Sequence, residues 1–288
     1  MSKRTKDCYQ VDPRDVAAED IHWDQDISYG SYLSLDKLLD CQKLRTTAHD
    51  EMMFMIIHQA SELWMKLCVH EIRAAMCEVE HDNLDATFKM LARVSRIQSQ
   101  LRQSWSVLST MTPADYLEFR DDLGQSSGFQ SFQYREIEYL LGNKNAELLE
   151  VHRRNPDRYE RLRQVLHAPS FYDLCLQLLA RRGFDIPADY VERDWSLAYV
   201  PSEQVEAAWA AVYEATDDNW DLYELAEKLV DLEYEFHMWR YSHMKTVERI
   251  IGYSRGTGGT SGVAFLKKAL DLQFFPELWS VRTRIERV

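Results

Sequence analysis

Two histidines interrupt apolar stripes that have helical spacing. One stripe reads Leu229, Leu232, Phe236, Trp239, His243, Val247 and Ile250, so His243 stands where a hydrophobe belongs. The other reads Phe54, His58, Ser61, Met65 and Cys68. An imidazole on an apolar helix face is either a core side chain satisfied by a hydrogen bond or a ligand. Two of them on separate helices have a sharper reading: one as the proximal ligand of a haem, the other lining its distal pocket, with the helix faces as walls. A third feature is Tyr116 with Arg120, four residues apart and so on one face of a helix. Arg120 has Tyr116, Leu117, Leu123 and Gly124 at helical reach, and no acid among them. A guanidinium without a local partner, beside a phenol, suits a ligand carboxylate held by paired hydrogen bonds. The competing reading is a tertiary ion pair with one of the 47 acidic residues. Ser126, Ser127 and Gly128 follow directly and add hydroxyls and amides at a helix start. Together these pieces suggest a haem pocket that holds a small aromatic amino acid.

Five of the ten glycines fall in GYSRGTGGTSG, from Gly252 to Gly262. No Lys follows them as in a phosphate-binding Walker loop, and Ser261 breaks the dinucleotide pattern. The segment reads as a loop that closes over a ligand or as a plain connection between helices. The nine histidines form no tight metal motif: H-E-x-x-H is absent, and the one E-x-x-H pair, Glu78 and His81, lacks the second pair a di-iron bundle needs.

The elements that must position these residues are helical. Neither Gly nor Pro occurs between Gly30 and Pro113, nor between Pro201 and Gly252, and turn-rich β architecture cannot be built from such intervals. The first should hold one long helix from about His49 to Glu80. After the polar break His81-Asp82-Asn83, a second carries Leu84, Phe88, Leu91, Val94, Ile97, Leu101, Trp105 and Leu108 on one face. Shorter helices are expected from Thr112-Pro113 to Gly124, from Gly128 to Leu141, from Asn155-Pro156, and from Ala168 to Arg182. The last long helix should span about Asp218 to Ile251 and stop at Gly252. The fold class is all-α, a single domain over residues 1–288 built on long antiparallel helices.

The chain has 288 residues, with 45% hydrophobic and 12% aromatic residues, enough to build a real core. Its formal net charge of -13 argues against nucleic acid or an anionic membrane as a partner, since both demand clustered Lys and Arg. No run of about 18 apolar residues exists, and MSKRTKDCYQ lacks an apolar core, so neither a membrane span nor a secretion signal is expected. Five scattered cysteines without C-x-x-C fit reduced thiols in a cytoplasmic protein.

Longer stretches carry a resemblance. HDEMMFMIIHQASELWMKL from His49, WSVLSTMTPADYLEFRDDLGQSSGFQSFQYREIEYLLGNKN from Trp105, HMKTVERIIG from His243, RGTGGTSG from Arg255 and FFPELW from Phe274 resemble the tryptophan 2,3-dioxygenase family, from about Tyr29 to the C-terminus. The resemblance implies a haem-dependent, usually homotetrameric enzyme with one haem b per subunit. Such an enzyme inserts both atoms of O2 across the indole C2–C3 bond of L-tryptophan to give N-formylkynurenine. It also implies roles. His243 would be the proximal haem ligand and His58 the distal histidine near the indole N–H. Phe54, Met55, Ile56, Ile57 and His58 would form one wall of the substrate pocket. Arg120 and Tyr116 would hold the substrate carboxylate and Thr257 its head group, while Ser127 and Trp105 would lie close to the haem. Tyr29, Tyr32 and Leu33, within an N-terminal arm of residues 1–45, would complete the pocket of a neighbouring subunit.

Three positions depart from the family pattern. Ile57 stands where Gln commonly precedes the distal histidine, Ser242 where Arg commonly precedes the proximal one, and Ser254 where the loop tends to be basic. These changes leave room for a related monooxygenase that gives a 2-oxindole from tryptophan or a substituted tryptophan with an external reductant. A haem- or tryptophan-binding sensor without turnover is the third reading, and the intact set His58, Tyr116, Arg120 and Thr257 counts against it.

Overall fold

A computed structural model describes residues 27–285, and every regular element among them is helical. Contacts divide the chain into two compact units, the first ending at Lys43 and the second beginning at Leu44. In the described part of the first, α1 (Tyr29–Leu33) starts at Ser28, which exchanges capping bonds with Ser31, and α2 (Leu35–Leu39) follows directly. The expected arm boundary at residue 45 falls two residues past this division, and residues 1–26 lie outside the described ones.

The second unit is organised by three long helices. The first, α3 (His49–Glu80), begins beside the buried Glu51, whose carboxylate accepts the backbone N–H groups of Arg45 and Thr46, both at 2.8 Å. A carboxylate there satisfies donors just outside the helix and complements its positive end. The turn His81-Asp82-Asn83, with Asp82 at a φ of 60°, folds α4 (Leu84–Leu108) back along α3. The third, α11 (Trp220–Ile251), packs against α4 and ends at Gly252, whose φ of 59° needs a residue without a Cβ penalty.

Between α4 and α11 run α5 (Pro113–Leu117), α6 (Phe132–Leu141), α7 (Pro156–Leu166), α8 (Phe171–Arg181), α9 (Ala188–Val191) and α10 (Glu203–Glu214); α12 (Val263–Leu270) and α13 (Pro276–Ser280) follow α11. The antiparallel expectation holds for α3 with α4 but not for α4 with α11. Arg102 lies 3.8 Å from Glu235, Trp105 stacks on His243, and Arg249 donates to the Ser109 carbonyl, so those two helices run in the same direction. The long crossover through α5–α10 returns the chain to the starting end and permits this.

Three shorter helices differ from expectation for local reasons. The segment after Thr112-Pro113 does not stay helical to Gly124: α5 ends at Leu117, Phe119 takes a φ of -130°, and Arg120–Leu123 forms a 3-10 turn. Gly128–Gln130 is a separate 3-10 turn, because the Ser131 hydroxyl accepts from Tyr134 N and starts α6 afresh at Phe132. Ser170, in a capping box with Asp173, begins α8 three residues later than expected.

Buried carboxylates lock the helices together. Glu138 on α6 meets Arg135 on its own helix and, at 2.7 Å, Arg240 on α11. Glu233 on α11 accepts the N–H groups of Phe274 and Phe275 and the Trp279 indole N–H. Glu277 accepts the hydroxyls of Tyr172 and Tyr199 and the N–H of Ser202. Among the described residues, no helix is long and apolar enough to cross a membrane.

Candidate active site

The three long helices converge on one aromatic cluster. From α3, Phe54 and His58 share a face one turn apart, with ring centroids 4.2 Å apart. From α4 comes Trp105, edge-on to His58 at 6.3 Å and stacked on His243 at 4.5 Å with only 15° between planes. From α11 come His243 and, one turn earlier, Trp239. Phe119 is fully buried behind Phe54 and Tyr116, with centroids 5.4 and 5.5 Å from theirs.

The two histidines are not equivalent. The Nδ1–H of His58 donates to the Phe54 carbonyl at 2.7 Å, which leaves Nε2 as a free acceptor; this tautomer follows from the carbonyl, which can only accept. Burial lowers the His58 pKa, partly opposed by that carbonyl and by Glu62. Burial lowers His243 to about 4, and His58 adds to the shift, so both rings are neutral near pH 7. No described residue hydrogen-bonds the His243 ring, whose one ring contact is the stacked Trp105. The indole N–H groups of Trp105 and Trp239 are also buried without a partner. The reading of His243 as a core histidine satisfied by a hydrogen bond therefore fails.

Arg120 and Tyr116 do lie together, although not on one continuous helix. Burial raises the Tyr116 phenol pKa, and the adjacent Arg120 guanidinium opposes the rise. Among the described residues no carboxylate pairs with Arg120; its Nη2 donates to the Arg255 carbonyl of the glycine segment at 2.9 Å. The tertiary ion pair considered from sequence is therefore replaced by a loop carbonyl, a neutral acceptor that a carboxylate would outcompete. The glycine segment is docked here by a second bond, from Thr257 Oγ1 to the Ser126 carbonyl at 2.5 Å. Gly258 crosses Ser127 so closely that a Cβ on it would sit 2.7 Å from the Ser127 Cβ.

Other expected residues divide. Ile57 packs against the core, while Ile56 is 46% exposed on the other side of α3 and does not reach the cluster. Met55, at an angle between the two, is half-buried. Tyr29, Tyr32 and Leu33 belong to the first compact unit and are exposed there. Ser242 is half-buried, and its carbonyl accepts the Thr246 hydroxyl. The sequence reading missed Phe119 as a member of the cluster and did not assign Trp239 to it, although Trp239 stands on the His243 stripe. It also missed Glu138 as the clamp on Arg240, which lies one turn before His243.

This arrangement defines an all-α protein whose three long helices bring an aromatic cluster and two neutral imidazoles together, with the Arg120 guanidinium beside Tyr116 at its edge. The sequence profile of tryptophan 2,3-dioxygenase matches residues 15–285. The chain is 56% identical over 267 residues to the tryptophan 2,3-dioxygenase of Geobacillus thermodenitrificans, covering 92% of this chain and 95% of that one. It is 53% identical over 272 residues to that of Bacillus thuringiensis, covering 94% and 98%, and 56% identical over 265 residues to that of Burkholderia orbicola, covering 92% and 85%. The chain belongs to the tryptophan 2,3-dioxygenase family.

Proposed function

We propose that this protein is a haem-dependent dioxygenase that inserts both atoms of O2 across the indole C2–C3 bond of L-tryptophan to give N-formylkynurenine. The observation that carries the reading is the aromatic cluster itself: it holds an unpartnered neutral imidazole on α11, a second imidazole on α3 with Nε2 free, and Arg120 at its edge. His243 would hold the iron of haem b, because a neutral ring with no competing hydrogen bond has a lone pair to give. Trp105, Trp239 and Phe54 supply apolar walls, and the orphaned Trp105 N–H supports the presence of a polar partner that the protein itself does not provide.

When bound, haem supplies the redox-active iron that activates O2. The chain does the rest. Arg120, with Tyr116 beside it, exchanges the Arg255 carbonyl for the substrate carboxylate and fixes the long axis of the amino acid. Thr257 binds the head group from the glycine segment, which lies across Ser126 and Ser127 and shields the site from water. His58 Nε2 accepts the indole N–H, and its own Nδ1–H bond to Phe54 keeps the ring in that tautomer and orientation. Phe54, Tyr116 and Phe119 hold the indole plane, so that C2 and C3 are presented in one geometry. The chain's contribution is thus mainly positioning. Both oxygen atoms end in the product, so no reductant is consumed in each turnover.

The working form is a cytoplasmic homotetramer with one haem per subunit. Tyr29, Tyr32 and Leu33, exposed on their own short helix, reach a neighbour's pocket. The deciding experiment is product mass under 18O2 with reduced, haem-loaded protein and L-tryptophan. Two labelled atoms in ring-opened N-formylkynurenine, without added reductant, are expected. One labelled atom in an intact 2-oxindole, dependent on reductant, would overturn the dioxygenase reading and make Ile57 and Ser242 the first positions to mutate.

A further inference from the structure

A cleft of about 500 Å³ opens beside His243, between the C-terminal turns of α4 and α11. We propose that it is the seat of the haem carboxylates, held by the Trp105 indole N–H together with Arg102, Lys245 and Arg249. The proposal rests on the haem reading above and extends it from Trp105 to Arg102, Lys245 and Arg249, to which no role toward the cofactor has been given.

Trp105 belongs to both spaces. Its ring face stacks on His243, its N–H is buried and unpartnered, and it lines the cleft. A buried donor with no acceptor is costly, and a carboxylate at the boundary between the aromatic cluster and the cleft would satisfy it. The charge of the lining agrees. Among the described residues Arg102, Lys245 and Arg249 line the cleft and no acidic residue does, in a chain whose 47 acidic residues outnumber its 34 Lys and Arg. Helical spacing explains the cluster. Arg102 and Trp105 are three apart on α4; Ser242, Lys245 and Arg249 are spaced by three and four on α11. Because α4 and α11 run in parallel, the two stripes face each other along their length.

The cations are available to a ligand. Arg102 reaches the half-buried Glu235 only at 3.8 Å, beyond hydrogen-bond distance, and Lys245 pairs with Glu248 at the surface, where an ion pair is weak and exchanges readily. Arg249 uses Nε on the Ser109 carbonyl, which orients its guanidinium and leaves both terminal nitrogens to donate. Ser242 stands where the family pattern commonly has Arg, so in this chain the cleft depends on these three residues for its charge. The ligand chemistry that matches is a planar apolar ring system with carboxylates on one edge: the ring against Trp105 and His243, the charged edge among the cations.

The test uses the full-length protein with two probes, haem and its dimethyl ester, which has the same ring and iron but no charged carboxylates. Loss of each from the loaded protein to excess apomyoglobin is followed at the Soret band, and circular dichroism checks the helices. The wild type is expected to lose the ester at least about tenfold faster than haem, the size expected for charge-assisted hydrogen bonds. The Lys245→Gln/Arg249→Gln variant, whose changes are at the surface, should lose haem about tenfold faster yet lose the ester at the wild-type rate. Trp105→Phe, which keeps a ring against His243, should behave in the same direction. Equal haem loss from the wild type and the double variant, or equal loss of haem and ester from the wild type, would overturn the proposal while leaving the haem reading intact. A wild type that forms no stoichiometric complex with either probe would overturn both.

Discussion

Two stretches of α11, one turn apart, handle polar groups in opposite ways. Glu233 and Arg240 are buried with their polar atoms partnered: Glu233 by two backbone N–H groups and an indole, Arg240 by Glu138, the Tyr134 hydroxyl and the Ala269 and Leu272 carbonyls. His243, three residues further on, has no hydrogen-bond partner among the described residues, and the neighbouring Trp239 and Trp105 leave their N–H groups unmet. Glu233 and Arg240 are fully buried and His243 is half-buried, so burial alone would predict the opposite order of unmet groups. Folding has completed the polar atoms of Glu233 and Arg240, which tie α6, α11 and the C-terminal segment together, and has left the His243 imidazole and the two indole N–H groups for a ligand to complete.

The comparison can be broken at its saturated end first. Glu138→Gln removes the charge shared by Arg135 and Arg240 and leaves two buried cations without a counter-ion, which should cost about 3–5 kcal/mol of stability. Chemical denaturation of the haem-free protein measures it, and a loss below about 1 kcal/mol would mean the cluster is not the clamp described here. At the unsaturated end the effects should fall on ligands and leave the fold intact. Arg120→Ala should raise KM for L-tryptophan about 10- to 100-fold, the worth of charge-assisted hydrogen bonds, with haem content unchanged. An unchanged KM would remove Arg120 from the carboxylate site. A smaller effect belongs to Gly258→Ala, where the new Cβ meets Ser127 and pushes the glycine segment off the rim. KM should rise about tenfold or less with the denaturation midpoint constant, and an unaffected KM would show that the segment need not sit on Ser127 during turnover.

Much of this division was legible in the residues. Long intervals without Gly or Pro marked the three helices that build the site, and His58 and His243 stood out because each interrupts an apolar stripe. Arg120 stood out because it lacks a local acid. What the residues did not carry was tertiary. Tyr116 and Arg120 looked like one helix face, but Phe119 leaves the helical region and turns inward to pack on Phe54 and Tyr116, so the pair meets across a break. Ile56 was included with the contiguous motif from Phe54 to His58, although the helical period turns it to the other side of α3. The parallel course of α4 and α11, and with it the cation-lined cleft, depends on a crossover of more than a hundred residues that no local pattern encodes. Glu138 and Arg240 gave no sign of each other in sequence, being far apart along the chain and both able to pass for surface charges.

We propose the unpartnered imidazole of His243 as the ligand position for haem iron. The most direct measurement is haem titration of wild type and His243→Gly at the Soret band, each with and without added imidazole. The wild type is expected to take up one haem per chain. The variant should still fold, at a cost of about 1–3 kcal/mol for a glycine in mid-helix and the lost stacking on Trp105, yet fail to form the complex until imidazole is supplied. A His243→Gly protein that binds haem with the wild-type affinity and spectrum in the absence of imidazole would contradict the account.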